Sequence, residues 1–365
     1  MHRIAIVPGD GIGVEVTRQV VKLLGPLGEA AGMPLDLDEW DLGAERYLRT
    51  GSAITPAELA ELGSCDAIFL GAIGDPRVPD HAHARAILLG LRFGLDLYIN
   101  LRPVRLYDPS LSPLRDPAAG IDLVIFRENT EGVYVGMGGN FKQDTPDEIA
   151  IEEDVNTRKG VERITRAAFE FAASRGRRRV TLTDKANAMP HAGGLWRRVF
   201  SEVGAEFPGV PRDAVYADAL ALDLVRRPAT YDVIVAPNLF GDILSDLAAA
   251  LVGGLGLAPS ASLHPGRPGL FEPVHGSAPD LTGTDRANPL AAFLTAGLML
   301  DHLGRRDLAA LVEESVRRAL RAGRTTPDLG GTMGTEALGD WIVADVLDAL
   351  ASAAQSGSRS ERPGY

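Results

Sequence analysis

Short runs of β-branched and aliphatic residues alternate along this chain with longer stretches of helical periodicity, and this alternation constrains the fold more than any other feature. An order of strand then helix, repeated in both halves of the chain, predicts an α/β fold in which helical crossovers join parallel strands. The predicted strand and helix pairs are 4–7 with 14–24, 66–70 with 81–92, 180–183 with 192–203, and 233–235 with 239–251.

Length and charge limit the classes of protein that this alternation can build. A chain of 365 residues is long enough for two or three compact units. Lys and Arg total 37 against 49 Asp and Glu, which gives a net charge of −12. A surface this negative repels phosphate backbones and anionic lipid headgroups. We therefore expect a small-molecule substrate and no nucleic-acid or membrane partner.

The sequence shows no sign of a secretory signal, a membrane-spanning segment or an internal disulfide. The first predicted strand reaches Gly9 too soon to supply the apolar core of a secretory signal. The longest uncharged stretch, 247–263, is interrupted by glycine and proline and is too short to span a bilayer. Cys65 is the single cysteine, so no internal disulfide can form. These features predict a cytoplasmic protein.

The loop after the first predicted strand has glycines at positions 9, 11 and 13. The G-x-G-x-x-G fingerprint of a Rossmann fold needs its third glycine at position 14, where this chain has Val14. A tight turn from strand to helix explains the loop without a ligand. We therefore expect no standard Rossmann site at this loop.

Asp242 and Asp246 lie four residues apart in a predicted helix, so their carboxylates share one helix face. Like charges at this spacing destabilise a helix, and no Lys or Arg lies within one turn to neutralise them. A divalent cation would resolve the repulsion, whereas an acidic helix N-terminus is the alternative that needs no ligand. Asp218, at the end of another predicted strand, is available as a third ligand.

Basic side chains and one phenol stand where predicted strands or helices meet loops. Arg92, Arg102 and Arg127 can each grip a carboxylate with two hydrogen bonds, although each taken alone also fits a surface ion pair. Lys185 directly follows an apolar strand, at the edge where open α/β sheets carry their chemistry, and suits a proton acceptor. Tyr134 is either a proton donor or a half-buried core residue.

The segment 271–280 contains small residues that let a ligand approach the backbone closely. Asp280 at its end can accept hydrogen bonds from the two ribose hydroxyls of an adenosine. Its charge would repel a 2′-phosphate, which favours NAD over NADP. Taken alone, a turn without any ligand is the simpler interpretation of this segment.

Taken together, these segments closely resemble the β-decarboxylating dehydrogenase family, whose members act on isopropylmalate, isocitrate, homoisocitrate, tartrate and D-malate. The resemblance runs in order from residue 4 to about residue 350 and is closest to the isopropylmalate branch. The motifs that carry it are PGDGIG at 8–13, GAIGDP at 71–76, NLRPV at 100–104, RENTEG at 127–132, NLFGDILSD at 238–246 and EPVHGSAPD at 272–280.

The resemblance implies a two-lobed isopropylmalate/isocitrate dehydrogenase-like α/β fold, with parallel-rich sheets and helices on both faces, and not a standard Rossmann fold. Residues 1–98 and 254–365 would form the first, nucleotide-binding lobe. Residues 99–253 would form the second lobe, which holds the dimer contact and the metal and substrate residues. The composition of 352–365, rich in Ser, Gly and Arg, predicts a frayed tail.

The resemblance also implies roles for single residues, in an active site that the two subunits of a homodimer share. Arginines would hold the malate carboxylate, a tyrosine and a lysine would handle protons, aspartates would hold Mg²⁺ or Mn²⁺, and one segment would bind the adenosine of NAD. The matching positions are Arg92, Arg102 and Arg127 for the carboxylate, Tyr134 and Lys185 for protons, Asp218, Asp242 and Asp246 for the metal, and His275, Gly276, Ser277, Ala278, Asp280 and Asn288 for adenosine. Lys185 and Asp218 would come from the neighbouring subunit.

The implied reaction is the NAD- and metal-dependent oxidative decarboxylation of a 2-hydroxy-3-carboxylate. The expected substrate is (2R,3S)-3-isopropylmalate of leucine biosynthesis, because Leu88 and Leu89 match the apolar pair that meets the isopropyl group. Arg85 lies one turn earlier on the same helix face, where it either pairs with a protein carboxylate or meets a polar substituent at C3. Tartrate, D-malate, homoisocitrate or another C3-substituted malate stays open as the substrate. A non-catalytic regulatory subunit is the alternative from a different class.

Overall fold

The computed structural model describes residues 1–115 and 120–360 of the chain. The chain divides into two compact units, Met1–Leu95 with Gly253–Tyr365 and Asp96–Val252. The first unit is therefore built from both ends of the chain and the second from its middle. The predicted lobes have nearly the same bounds, while their roles in nucleotide binding and dimerisation stay predictions.

Strands and helices alternate through most of the described residues. The strands β1 to β12 are His2–Gly9, Leu35–Glu39, Ala67–Ala72, Ile99–Arg105, Asp122–Glu128, Gly138–Phe141, Ile149–Glu152, Val180–Asp184, Arg212–Tyr216, Val233–Ala236, Pro259–Leu263 and Gly269–Pro273. The helices α1 to α11 are Ile12–Ala30, Ala44–Thr50, Pro56–Leu62, Ala82–Gly94, Arg158–Arg175, Pro190–Ala205, Ala217–Arg226, Asn238–Ala250, Leu290–His302, Arg306–Arg321 and Thr335–Ser360. Within the described ranges, none of the helices has both the length and the hydropathy needed to cross a membrane.

In the first unit the strands lie in the order β2-β1-β3-β12-β11. β1 is parallel to β2 and β3, and β3 is parallel to β12, whereas β11 runs antiparallel to β12. Side chains of β3 are buried along its whole length, as expected for a parallel strand that is covered on both faces. The apolar stripe of α1 packs on β3, and the largely buried α9 packs on β11 and β12.

In the second unit the strands lie in the order β4-β5-β10-β8-β9. β5, β10, β8 and β9 are parallel, whereas β4 is antiparallel to β5 and places Asn100 opposite Arg127. The carboxyl ends of parallel strands share one edge of a sheet. Arg127, Lys185 and Asn238, which lie at or just after the ends of β5, β8 and β10, therefore lie along this edge.

A core cluster anchors the two helices that carry the predicted acidic ligands. Leu220 and Leu224 of α7 and Leu244 and Ala248 of α8 are buried together with Ile125 of β5. Burying each leucine contributes about 2 kcal/mol. The packing of these apolar residues therefore fixes the positions of Asp218 on α7 and of Asp242 and Asp246 on α8.

Each predicted strand and helix is present, and the prediction of an α/β fold with mainly parallel strands is confirmed. Two local predictions differ from the structure. Asp218 lies in the first turn of α7 and not at a strand end, because β9 ends at Tyr216 and the helix begins at once. Of the predicted frayed tail, 352–360 continues α11 as helix, which the alanines near residue 350 favour. Residues 361–365 of that tail lie outside the described residues.

Candidate active site

Asp242 and Asp246 lie one turn apart on α8, with 31% and 52% of their side chains exposed. Arginines from two strands of the sheet offset the repulsion between them. Arg102 of β4 places Nη2 3.1 Å from Asp242 Oδ1 and Nη1 3.0 Å from Asp246 Oδ1. Arg127 of β5 places Nη1 2.6 Å from the same Asp242 oxygen. The lack of a base within one helical turn therefore does not leave the carboxylates unbalanced, because tertiary contacts supply the cations.

Arg127 is almost fully buried against the first turns of α8. A Cβ on Gly241 would stand 2.7 Å from Cβ and Cγ of Arg127, which excludes larger residues at that position. A buried guanidinium is destabilising unless its N–H groups are bonded. Arg127 meets this need by donating to Asp242 and to Asn238. Position 241 must therefore be glycine so that Arg127 can pack against α8.

Arg102 is also buried, and two polar residues that sequence reasoning missed hold it in place. Its Nε donates to Asn100 Oδ1 at 2.7 Å, and its Nη1 donates to Ser245 Oγ at 2.7 Å. Asn100 stands two residues before Arg102 on the same face of β4, a spacing that could have signalled the contact. Ser245 has no such signal, because it reaches Arg102 only through the packing of α8 on β4.

Tyr134 lies in the turn Val133–Val135 and joins this cluster. Its hydroxyl donates to Asp242 Oδ2 at 2.6 Å, and the Arg127 Cζ lies 5.0 Å from its ring centroid. Burial, together with the hydrogen bond to the Asp242 carboxylate, raises the pKa of the Tyr134 phenol. The phenol therefore keeps its proton at neutral pH, as a proton donor must.

The oxygen donors of α8 fit a hard divalent cation. Burial raises the pKa of Asp246, because desolvation disfavours the charged form of its carboxyl. Among the described residues of one chain, however, no group of three acidic, histidine or cysteine side chains is placed to hold a metal ion. Asp218 is therefore not brought together with Asp242 and Asp246 within one chain.

Lys185 and Asp218 form a separate pair in the same unit. The Lys185 Nζ lies 2.6 Å from Asp218 Oδ1, and this interaction lowers the pKa of the Asp218 carboxyl. The Tyr216 ring centroid lies 6.0 Å from Nζ and 4.6 Å from the Arg197 Cζ. A predicted proton acceptor and a predicted metal ligand are thus neighbours, although they come from different elements.

A small cavity of about 50 Å³ adjoins Lys185. Apolar side chains of Trp196, Leu239 and Phe240 form much of its wall, and Asp184 adds a carboxylate. A cavity of this volume has room for a water molecule beside polar partners. The cavity can therefore hold one water molecule next to Lys185.

On α4, Arg92 is paired with a residue that sequence reasoning gave no role. Its Nη2 donates to Glu272 Oε1 of β12 at 2.6 Å, and about a tenth of each side chain is exposed. The Arg92 Nε is buried and has no hydrogen-bond partner among the described residues. The pair leaves donor capacity on Arg92 for a second carboxylate.

Arg85 shares the Arg92 face of α4 with Leu88 and Leu89. Both leucines are half-buried, whereas Arg85 is exposed. In the part of the chain that the structure describes, Arg85 forms no hydrogen bond or ion pair. Of the two roles expected for Arg85, pairing with a protein carboxylate therefore finds no support within one chain.

The predicted adenosine segment packs on the glycine loop after β1. The Ile12 N–H donates to the Ser277 carbonyl at 2.8 Å. Gly11 has φ +58°, and a Cβ there would stand 2.1 Å from the same carbonyl oxygen. Gly11 is therefore required because the 271–280 segment lies against it. The glycine loop at 9–13 and the 271–280 segment thus pack together.

His275 carries the clearest unmet hydrogen-bonding group of that segment. Its Nδ1 lies 3.1 Å from the Gly276 carbonyl, while its Nε2 is buried and has no hydrogen-bond partner among the described residues. Burial lowers the pKa of His275, so the imidazole is neutral at pH 7. An orphaned buried nitrogen in the segment that ends at the exposed Asp280 carboxylate fits a polar, aromatic ligand such as adenosine.

The other predicted adenosine positions differ in exposure. Gly276 is exposed, Ser277 is buried, and Ala278 adopts the left-handed conformation with φ +39°. Asn288 is buried, donates from Nδ2 to Asp328 Oδ2 at 3.0 Å and accepts from the Leu290 N–H at 3.0 Å. Its amide is thus already bonded within the first unit.

Comparison with known proteins places these features in one family. The family model described as isocitrate/isopropylmalate dehydrogenase matches residues 3–342. A 3-isopropylmalate dehydrogenase of Thermobifida fusca is 46% identical over 349 residues, which cover 95% of this chain and 98% of the relative. That of Corynebacterium glutamicum is 47% identical over 344 residues, or 93% and 98% of the two chains. The crystal structure of isocitrate dehydrogenase from Methylococcus capsulatus has a TM-score of 0.86 at 37% identity, and the match covers 95% of this chain and 99% of that one.

These matches confirm both the resemblance stated from the motifs and the isopropylmalate/isocitrate dehydrogenase-like fold. They cover nearly the whole chain, so the likeness does not depend on isolated motifs.

Proposed function

The chain belongs to the isocitrate/isopropylmalate dehydrogenase family and is a decarboxylating dehydrogenase, and on this premise we propose that it converts (2R,3S)-3-isopropylmalate to 4-methyl-2-oxopentanoate. The proposal includes NAD as oxidant, a divalent cation as cofactor and a place in leucine biosynthesis. The observation that carries it is the cluster of guanidinium, phenol and carboxylate groups on α8, β4, β5 and the 133–135 turn. These are the groups that binding, proton transfer and Lewis-acid assistance require.

Guanidinium groups bind the carboxylates of the substrate in this proposal. Arg102 and Arg127 are buried, and electrostatic attraction is stronger there than in open water. Arg92 contributes from α4, where the pairing with Glu272 leaves N–H groups to donate. The half-buried Leu88 and Leu89 supply the apolar surface for the isopropyl group.

Two side chains move protons. Lys185 takes the C2 hydroxyl proton, directly or through a water in the adjoining cavity. Tyr134, whose raised pKa keeps it protonated, donates a proton to C3 after carbon dioxide leaves. The hydrogen bond to Asp242 orients the phenol for this step.

We propose that NAD binds at the 275–288 segment of the first unit. When bound, NAD supplies the acceptor for the C2 hydride. The exposed Asp280 carboxylate accepts the ribose hydroxyls and disfavours a 2′-phosphate, and the buried His275 Nε2 gains a polar partner. The proposed binding residues are His275, Gly276, Ser277, Ala278, Asp280 and Asn288.

We propose that Asp242 and Asp246, completed by the partner subunit's Asp218, hold Mg²⁺ or Mn²⁺. When bound, the ion supplies Lewis acidity that draws electrons toward the C2 oxygen as carbon dioxide leaves. A third carboxylate from a second subunit is consistent with the incomplete ligand set among the described residues of one chain.

A homodimer follows from the same reasoning and from exposed apolar surface. Leu222 and Val225 on α7 are 55% and 46% exposed, and Leu239 and Ile243 on α8 are 39% and 58% exposed. Each pair has helical spacing, so each forms one apolar face. We propose that these faces in the middle lobe pack on a second copy, and that the dimer is cytoplasmic.

The test is to follow NADH absorbance with purified protein, Mn²⁺ and a panel of malates. We expect the highest kcat/KM with 3-isopropylmalate and NAD, a much lower value with NADP, and loss of turnover after treatment with a chelator. Added Mn²⁺ should restore the rate. A panel on which no hydroxy acid is oxidised would overturn the proposal, and so would undiminished turnover in metal-free protein.

One observation favours a second substrate class. Arg85 is exposed and unpaired among the described residues, on the face that carries Leu88 and Leu89. A guanidinium there would meet a polar C3 substituent, as in tartrate or homoisocitrate, better than an isopropyl group. Higher kcat/KM with tartrate, D-malate or homoisocitrate in the same panel would replace 3-isopropylmalate as the substrate.

A further inference from the structure

Asn238, the first residue of α8, touches two parts of the proposed active site. It is buried, with 2% of its surface exposed. Its Oδ1 accepts from the Arg127 Nε at 2.9 Å, and its backbone carbonyl accepts from the same Nε at 3.0 Å. Its Nδ2 donates to the Glu131 carbonyl at 2.8 Å. A single buried amide therefore bridges the substrate arginine and the loop after β5.

The chemistry of the partners fixes the orientation of this amide. The Arg127 Nε can only donate, and the Glu131 carbonyl can only accept. The Asn238 oxygen must therefore face Arg127 and its NH₂ group must face Glu131. Among side chains of this size, an aspartate would place an acceptor against the carbonyl, and a leucine would remove both side-chain hydrogen bonds.

The contact with Arg127 fixes the plane of the guanidinium. Nε has two acceptors from one residue, while Nη1 is held by Asp242 at 2.6 Å. Bonds at two points of a planar group remove its freedom to rotate about the side-chain axis. The guanidinium of Arg127 is thus held in one plane, as ordered binding of a carboxylate requires.

The contact with Glu131 fixes the turn that carries Tyr134. Gly132 follows Glu131 with φ +79°, and a Cβ there would stand 3.1 Å from the Asn238 Cβ. The turn therefore lies directly on Asn238, and Tyr134 follows only two residues further on. The Tyr134 hydroxyl then reaches Asp242, one turn along α8 from Asn238.

We propose that Asn238 is a positioning residue. It holds the Arg127 guanidinium and the turn that carries Tyr134 in the positions that the reaction of the hydroxy acid requires. The inference rests on the proposed function, because it needs Arg127 and Tyr134 to act on substrate. In this proposal Asn238 acts through Arg127 and the Tyr134 turn and not by contact with substrate or cofactor. Its effect is therefore confined to the hydroxy-acid side of the reaction.

Two variants separate the two contacts. Asn238→Ala removes both side-chain hydrogen bonds, while the backbone carbonyl of residue 238 still accepts from the Arg127 Nε. We therefore expect KM for the hydroxy acid to rise about 10-fold and kcat to fall about 10-fold, with KM for NAD within about twofold of wild type. Asn238→Asp keeps an acceptor for Arg127 but cannot donate to Glu131, so KM for the hydroxy acid stays near wild type while kcat falls about 10-fold. A purely structural residue would not produce this split.

Asn129→Ala is the matched control, because Asn129 is equally buried and also donates to a backbone carbonyl, that of Leu97. It should lower the unfolding midpoint and leave both KM values within about twofold. Unchanged kinetics in Asn238→Ala, or an equal rise in both KM values, overturns the inference. If Asn238→Ala does not fold, Asn238→Asp decides the question, and a wild-type kcat in that variant is the contrary result. An inactive wild type would instead refute the proposed function.

Discussion

At the scale of single residues, Asp242 is the point where the proposed chemistry converges. One carboxylate accepts from Arg127 and from the Tyr134 hydroxyl and forms an ion pair with Arg102. Because each partner comes from a different loop or strand, the proposed function predicts that a change at Asp242 alters substrate binding, proton donation and metal affinity together. Lys185 lies outside this set of contacts and offers the cleaner test of a single role.

Replacing Lys185 with alanine should lower kcat by about 10²- to 10⁴-fold, because the C2 hydroxyl proton then has no base to accept it. The measurement is steady-state NADH formation with saturating hydroxy acid and metal. The matched control is Lys22→Ala, which removes a lysine that is also ion-paired, to Glu336 and Asp340, but lies on α1. Full turnover by Lys185→Ala would rule out the proposed base.

At the scale of elements, the short helix α3 shows how local chemistry holds a helix end. Thr55 and Glu58 form a reciprocal capping box in which each side chain bonds to the other residue's backbone N–H. Arg46 of α2 adds two hydrogen bonds to the same carboxylate, at 2.6 and 2.9 Å. The hydrogen bonds from Arg46 lower the pKa of Glu58 to about 2.

Glu58→Gln should therefore lower the free energy of unfolding by about 1 kcal/mol at pH 7. Since the folded-state pKa is depressed from 4.5, the charged carboxylate stabilises the fold above pH 4.5, and this contribution is lost as the pH falls toward 2. Urea unfolding at several pH values should show the difference between variant and wild type shrinking over that interval.

The exposed Glu29 on α1 supplies the control for this comparison. Within the described ranges its carboxylate forms no ion pair, so Glu29→Gln should change stability little at any pH. A Glu58→Gln difference that stays constant from pH 7 to pH 3 would contradict the assignment.

Leu222→Asp on α7 should convert the proposed dimer to a monomer, because a buried carboxylate without a partner is strongly unfavourable at an apolar interface. Sedimentation velocity measures the change, and activity should fall with it if each site takes residues from both subunits, as proposed. Leu48→Asp on α2 places the same charge at a leucine that is 47% exposed in the first unit. It should leave the dimer intact. A dimeric Leu222→Asp protein would exclude this face as the interface.

At the scale of the whole molecule, the division of the chain into two units separates the predicted roles. The cofactor segment, Arg92 and the α4 leucines belong to the unit formed by both chain ends, whereas the acidic, tyrosine and lysine residues belong to the middle unit. The proposed active site is also divided between subunits. Each site would take Lys185 and Asp218 from one chain and the remaining residues from the other.

Mixing two inactive variants tests that sharing. Lys185→Ala and Asp242→Asn subunits should each form inactive homodimers, whereas a heterodimer would contain one site with both defects and one site with none. Denaturing and refolding an equal mixture should thus restore about a quarter of wild-type activity. Mixtures of each variant with itself are the controls. No recovery from the mixture, despite heterodimers detected by mass, would place Lys185 and Asp242 in the same subunit's site.

The sequence by itself determined the α/β class, the strand and helix order and the family, because these depend on local periodicity and on motifs of fixed spacing. The helix carrying Asp242 could be predicted in this way. The C-terminal end of α11 could not be predicted. The Ser- and Gly-rich composition of 352–365 suggested a frayed tail, whereas the structure continues the helix to Ser360.

Only the tertiary structure decided how the charges are balanced. Arg102 and Arg127 stand more than a hundred residues from the carboxylates they meet, and Glu272 is equally remote from Arg92 along the chain. Such pairs depend on which strands lie side by side, and no spacing in the sequence encodes that order. The same holds for Asn238, whose two hydrogen bonds exist only because the ends of β5 and β10 lie on one edge of the sheet.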